Sequence, residues 1–286
     1  IPARTPAMTA MTAATIDAFT GGRFRLGLGV SGPQVSEGWH GVRFAKPLGR
    51  TREYVAIVRK ALAREPVAYD GEHFQLPLPG GAGKALRLTV HPVREHIPIY
   101  LASVGPKNLE LTGEIADGWL SIFFAPEFAA ELLSPISAGR AKVGRTLDGF
   151  DVVATAPLVL GADDGIEDCA ALVRYFAALY IGGMGSREQN FYNALATRMG
   201  YGDEAKEIQD LYLAKRQADA AAAVPLEFID RTSLLGSVDR ITERMRAYAQ
   251  AGVTTLAVSL FVTDVEDGIR TLRAAAEALD RSGVGE

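Results

Sequence analysis

The feature that most constrains the fold is a repeating order in which a short apolar segment is followed by an amphipathic helix. Such apolar segments, each predicted to be a strand, occupy residues 23–30, 97–104, 119–124, 150–160 and 253–262. Apolar strands that alternate with amphipathic helices form parallel sheets whose two faces are covered by helices. The sequence therefore predicts an α/β protein, either a (β/α)8 barrel or an open doubly wound sheet.

Proline and glycine residues mark where the predicted helices begin and end. A helix is predicted over residues 7–19, and further helices begin at Pro47 and at Pro106, a residue type that suits the first helical position. Residues 237–252 also have clear helical spacing. Residues 69–93 contain too many glycines and prolines for a regular element, so we interpret them as a long excursion between a helix and the next strand.

Five strands are too few to close an eight-stranded barrel, and three further strand–helix units before Ile1 would complete one. The chain begins at Ile1 without an initiator methionine or a targeting leader, so we expect N-terminal strand–helix units to be missing from this sequence. We expect residues 1–286 to form a single barrel domain with the excursion at residues 69–93 inserted in it.

The charge balance argues against several classes of partner. The 30 lysines and arginines and the 34 acidic residues give a net charge of −4, whereas nucleic-acid and anionic-membrane surfaces attract basic proteins. No apolar run reaches the roughly 18 residues of a membrane helix. His73, His91 and His96 lack metal-ligand spacing, and Cys169 lies on a helical pattern typical of a buried structural thiol. We expect a cytoplasmic protein without metal, nucleic-acid or membrane partners.

A glycine-rich segment over Gly27–Gly32 follows the first predicted strand and matches the pattern G-x-G-x-x-G. A dinucleotide site of this type needs a helix that begins at once, so that its N-terminus meets the pyrophosphate. Here a polar loop is predicted to continue until Pro47. The glycines are therefore better interpreted as positions where a strand approaches its neighbours or a ligand closely.

The loop that follows carries polar side chains at a strand end, which is where barrels place ligands. Glu37 and His40 are the candidate catalytic residues in this loop, His40 as a proton donor. A single histidine in a loop is also common on protein surfaces without any function. The neighbouring Trp39 is expected in the core.

A second candidate site is the turn over residues 102–106, where a strand ends in small residues and a helix begins. The free N–H groups of the first helical turn and the Ser103 hydroxyl could bind a phosphate there, while Gly105 allows the turn. The alternative is an ordinary connection between a strand and a helix.

Several separated motifs, taken in order, resemble the luciferase-like monooxygenase superfamily. The resemblance rests on Arg4–Pro6, Gly21–Gly29, Pro98–Pro106 and Ala116–Trp119. Two further segments are similar to the branch of that superfamily that uses the deazaflavin coenzyme F420, namely Gly32–Gly41 and Tyr180–Gly185.

The resemblance implies an eight-stranded α/β barrel with an inserted excursion, a homodimer, and an oxidoreductase that moves a hydride between coenzyme F420 and an organic small-molecule substrate. An FMN-dependent monooxygenase and a non-catalytic flavin- or deazaflavin-binding protein are the alternatives. By the same resemblance, the cofactor phosphate and tail would lie near two loops, at Ser31, Gly32, Ala102, Ser103, Val104 and Gly105. Sugar-phosphate dehydrogenases of the family have an acidic residue where Pro33 stands here, so a sugar phosphate is not implied.

Overall fold

The computed structural model describes residues 1–285 and shows the alternation of strands and helices that the sequence predicts. The helices are α1 (Pro6–Phe19), α2 (Pro33–Gly38), α3 (Pro47–Leu62), α4 (Pro106–Ile115), α5 (Ala129–Lys142), α6 (Ile166–Ala178), α7 (Phe191–Arg198), α8 (Gly202–Leu213), α9 (Gln217–Ala222), α10 (Leu226–Arg231), α11 (Val238–Gln250) and α12 (Val265–Ser282). The strands are β1 (Leu26–Gly29), β2 (Tyr69–Asp70), β3 (Gln75–Leu76), β4 (Ile99–Ala102), β5 (Gly118–Ile122), β6 (Asp151–Leu160), β7 (Leu234–Gly236) and β8 (Thr255–Leu260).

The chain divides into two compact units, the first of which contains residues 1–103, 107–119 and 135–150. In this unit β1 and β4 pair in parallel, with Leu26 opposite Ile99 and Gly29 opposite Ala102. The apolar faces of α1 and α3 pack on these strands. The α3 residues predicted to face inward are buried there, namely Tyr54, Val55, Val58, Ala61 and Leu62.

The second unit contains residues 104–106, 120–134 and 151–285. Its long strand β6 pairs in parallel with both β7 and β8. The strand β6 is almost entirely buried, which is the pattern expected of a central strand covered on both faces.

The structure corrects three details of the sequence interpretation. Helix α2 begins at Pro33, directly after Gly32, so the prediction of a polar loop that continues until Pro47 is wrong. Proline suits the first position of this six-residue helix. The Ser36 hydroxyl holds the end of the helix by donating to the Val42 carbonyl (2.7 Å). Trp39 is 84% exposed rather than in the core. Strand β7 was not predicted because three residues are too few to show a periodic pattern. Cys169 is buried, as expected.

The excursion between α3 and β4 contains the antiparallel hairpin of β2 and β3, and a carboxylate on α3 holds the turn of this hairpin. Glu53 accepts hydrogen bonds from the backbone N–H groups of three consecutive residues, at 2.9, 2.9 and 3.0 Å. These donors belong to Glu72, His73 and Phe74. The excursion is thereby fixed to the helix that precedes it.

Replacing Glu53 by glutamine is expected to lower the free energy of unfolding by about 1–3 kcal/mol, because a neutral amide with one acceptor oxygen replaces a carboxylate that accepts three hydrogen bonds. Urea denaturation measures the change. The matched control is Glu65→Gln at an exposed position, which should change stability by no more than about 0.5 kcal/mol. Equal stability of the two variants would show that Glu53 does not fix the hairpin.

None of the helices within residues 1–285 has the length and apolar character needed to span a membrane.

Candidate active site

The turn between β4 and α4 combines open space with unpaired backbone donors. Strand β4 ends at Ala102 and α4 begins at Pro106. A Cβ atom built on Gly105 would have no other atom within 4 Å, so the turn is open on that side. The first N–H groups of any α-helix lack an intrahelical acceptor and carry the positive end of the helix dipole. The geometry of this turn therefore suits an anion.

Ser103 supports this turn from inside rather than facing a ligand. Its side chain is buried, and its hydroxyl lies 2.8 Å from the Thr112 hydroxyl. Because the Thr112 hydroxyl donates to the Asn108 carbonyl (2.7 Å), the proton between the two hydroxyls comes from Ser103. The indole N–H of Trp119 donates to the Ser103 carbonyl at 2.9 Å. An anion at this turn would thus meet backbone N–H groups rather than the Ser103 hydroxyl.

A guanidinium group lies at the same turn. Arg198, the last residue of α7, donates from Nη2 to the Val104 carbonyl at 3.0 Å. Partial burial lowers the pKa of Arg198, an effect that nearby Glu131 opposes, and the group stays charged at neutral pH. A guanidinium has five N–H donors, and Val104 takes one of them. No local pattern predicts this contact, because Arg198 lies 94 positions away from Val104 in the sequence.

The loop after β1 starts beside the end of β4. Gly29 stands opposite Ala102, and a Cβ on Gly29 would lie 3.6 Å from the Ala102 Cβ. Ser31 follows in a left-handed conformation (φ 63°), which is costly for a residue other than glycine and is concentrated at functional sites. Gly32 then leads directly into α2. The structure thus brings the Ser31–Gly32 loop and Ala102 to one edge of the strand pair.

Glu37 and His40, the two candidate catalytic residues, lie in and just after α2 and are both exposed. The Glu37 carboxylate accepts a hydrogen bond from the Phe44 backbone N–H at 2.9 Å. Over residues 1–285 the His40 side chain makes no hydrogen bond or ion pair. Neither side chain is buried or paired with a second titratable group, as general acids and bases in active sites commonly are. A catalytic role for Glu37 and His40 stays a prediction.

The second unit carries aromatic residues where its strands end. Phe123 directly follows β5, is fully buried and has a left-handed backbone conformation (φ 54°). Phe261 directly follows β8. Sequence reasoning placed Phe123 at the end of a strand but did not predict a functional role for either ring.

Across the described part of the chain, His, Cys, Asp and Glu side chains form no group of three or more that could hold a metal ion.

Comparisons with known proteins agree with the motifs found in the sequence. The sequence profile of the family described as luciferase-like monooxygenase matches residues 1–255. A Mycobacterium tuberculosis protein, whose assignment as a coenzyme F420-dependent oxidoreductase is itself provisional, is 45% identical over 266 residues, covering 91% of this chain and 76% of the relative. The 5,10-methylenetetrahydromethanopterin reductase of Archaeoglobus fulgidus is 33% identical over 255 residues, covering 87% of this chain and 71% of that protein.

Solved structures of the same kind have the fold of this chain. The coenzyme F420-dependent tetrahydromethanopterin reductase of Methanopyrus kandleri superposes with a TM-score of 0.75 at 24% identity, over 94% of this chain and 78% of that one. An F420-dependent secondary alcohol dehydrogenase superposes with a TM-score of 0.72 at 18% identity, over 96% of this chain and 75% of that one.

The chain therefore belongs to the luciferase-like monooxygenase family and is an enzyme of the oxidoreductase class. The expected family and its α/β barrel fold are confirmed, and the relative at 45% identity carries the F420-dependent name that the motifs led us to expect. The single domain over residues 1–286, the site residues and the homodimer stay predictions.

Proposed function

We propose that this protein transfers a hydride between coenzyme F420 and a small organic substrate. The observation that carries the proposal is the 45% identity to a protein with an F420-dependent oxidoreductase name, since the match extends over 91% of the chain. The A. fulgidus relative at 33% identity, a reductase, supports the same reaction class.

The turn between β4 and α4 has the chemistry needed to hold the phosphate of such a coenzyme. Gly105 leaves the backbone accessible, and the first turn of α4 offers N–H donors. Ser103 and Thr112 fix the shape of the turn from within. When bound, the deazaflavin supplies the hydride chemistry, while these residues bind and orient it.

The test of the proposed function is a pair of equilibrium titrations of the purified protein, one with coenzyme F420 and one with FMN. We expect coenzyme F420 to bind at least about tenfold more tightly, a difference of about 1.4 kcal/mol. Tighter binding of FMN would favour the FMN-dependent monooxygenase. Binding of coenzyme F420 without turnover of secondary alcohols, ketones or enones would favour a non-catalytic binding protein.

Replacing Gly105 by valine is expected to raise the dissociation constant for coenzyme F420 by about tenfold or more without lowering the thermal unfolding temperature. The added side chain has room within the protein and needs no left-handed backbone, so the loss arises from blocked approach of the coenzyme. The measurement combines a coenzyme titration with a thermal melt.

The control is Gly83→Val in the excursion, where the nearest atom to an added Cβ is 3.9 Å away and the backbone is also not left-handed. This variant should match the parent in both measurements. A Gly105→Val protein that melts early but binds the coenzyme normally would identify the turn as purely structural.

A further inference from the structure

Six aromatic rings pack together in the second unit of the chain, and we refer to them as the aromatic wall. They are Phe123, Phe176, Tyr180, Tyr192, Phe228 and Phe261. The ring of Phe123 lies at the centre, with ring centroids 5.4–6.4 Å from four of the others. The remaining ring, Phe261, lies 5.7 Å from Phe176.

The aromatic wall lies where strands end. Phe123 follows β5, Phe261 follows β8, and both rings contact Phe176 from α6. In (β/α) barrels the loops at the carboxyl ends of the strands build the ligand site. The wall therefore lies at the edge of this unit where a substrate is expected.

Two parts of the wall have backbone conformations that are rare in ordinary cores. Phe123 is in the left-handed region, which is unfavourable for a bulky side chain and is found mainly at functional sites. Tyr180 lies in a π-helical turn over Leu179–Gly183, and such turns are also frequent at functional sites. Both deviations place a ring in the same cluster.

The wall is not a closed core, because four of its rings remain partly exposed. Phe123 and Phe228 are fully buried, whereas Phe176, Tyr180, Tyr192 and Phe261 are half-buried. Within residues 1–285, neither of the two tyrosine hydroxyls has a hydrogen-bond partner. Burial raises the pKa of Tyr192, so that its hydroxyl remains protonated at neutral pH.

Two cations on the helices that carry these rings are paired with carboxylates. Arg174 pairs with Glu167, and Arg231 pairs with Glu227 and approaches the Tyr201 hydroxyl (3.4 Å). Tyr201 in turn contacts the buried ring of Phe228. The accessible part of the wall thus offers aromatic faces and phenol hydroxyls rather than charged side chains.

We propose that the aromatic wall binds the substrate, and that the substrate is a flat, uncharged, mainly apolar molecule whose oxygen accepts a hydrogen bond from Tyr192. This inference rests on the proposed function, which requires an organic substrate beside the coenzyme. Aromatic faces favour flat rings by stacking, and the half-buried Tyr192 hydroxyl, which has no partner within residues 1–285, can donate to an acceptor on the ligand.

The test uses three probes that share one ring system, 2-acetonaphthone, naphthalene and 2-naphthoate, titrated calorimetrically into the purified protein. We expect the ketone to bind, and the carboxylate to bind at least tenfold more weakly because its charge would have to be desolvated against aromatic faces. Tyr192→Phe should weaken ketone binding roughly 2- to 10-fold and leave naphthalene binding unchanged, because only the hydrogen bond is lost. The control Tyr175→Phe, at a 60% exposed position on α6, should change neither.

The proposal is overturned if the ketone does not bind, if the carboxylate binds equally well, or if Tyr192→Phe affects ketone and hydrocarbon alike. The coenzyme titration decides the proposed function separately. Ketone binding without coenzyme F420 binding would remove the proposed function and leave the wall as a binding surface. Coenzyme binding without ketone binding would remove the wall and leave the proposed function.

Discussion

Replacing Gly139 by alanine is expected to lower the free energy of unfolding by about 3 kcal/mol or more. A Cβ at this position of α5 would lie 1.9 Å from the Glu110 carbonyl oxygen of α4. The contact is reciprocal, because a Cβ on Gly113 of α4 would lie 2.1 Å from the Ile136 carbonyl oxygen. Both obstacles are backbone atoms that no change of rotamer can move, so the two helices would have to separate.

The matched control is Gly268→Ala in α12. A Cβ there would meet Val262 and Leu260 side chains at 3.6 and 3.8 Å, which is ordinary contact. Alanine also favours helix over glycine, so this variant should be as stable as the parent or more stable by up to about 1 kcal/mol. Urea denaturation compares both variants with the parent. A Gly139→Ala protein of unchanged stability would contradict the close contact between the helices.

Replacing Arg94 by methionine is expected to cost about 3–5 kcal/mol of stability at neutral pH, because it leaves a buried carboxylate without its ion partner. Asp17 is completely buried, and Arg94 donates to its two carboxylate oxygens at 3.2 and 2.7 Å. Arg94 also donates to the Phe24 carbonyl, which this variant would leave without that donor. The Asp17 carboxylate lies in the last turn of α1, where the helix dipole disfavours a negative charge.

The double variant Asp17→Asn with Arg94→Met should recover part of the lost stability, since the uncompensated charge is then removed. Lys206→Met serves as the control because Lys206 is 77% exposed in its pair with Asp210, and its loss should cost no more than about 1 kcal/mol. Chemical denaturation of the four proteins gives the comparison. A single Arg94→Met variant that loses no more than the control would show that the buried pair contributes little.

The class of the fold could be predicted because its signal is local and repeated. Each strand of β1, β4, β5, β6 and β8 is an apolar run next to an amphipathic helix, and Pro47 and Pro106 begin helices as predicted. Short elements carry less information. Strand β7 has three residues and helix α2 has six, so neither is long enough for its pattern to repeat.

The part of the candidate site that could be predicted is the part whose conformation is determined by residues next to one another in the sequence. Gly105 and Pro106 specify a turn that exposes the start of a helix, and the structure has that turn. The orientation of the Ser103 hydroxyl depends on Thr112, which lies nine residues later in α4. Arg198 reaches Val104 from 94 residues away, and a contact of that kind exists only after folding. Long-range side-chain partners were therefore the part that sequence reasoning missed.

The proposed function requires this chain to bind coenzyme F420, and the site proposed for the coenzyme phosphate is the turn between β4 and α4. The most direct measurement is a titration of the isotopically labelled protein with coenzyme F420, followed through its backbone amide resonances by NMR. We predict saturable shifts of the amides of Val104, Gly105, Lys107 and Asn108, because these groups belong to the turn and to the first turn of α4. Saturable binding with shifts confined to other parts of the chain, or no binding at all, would contradict the claim.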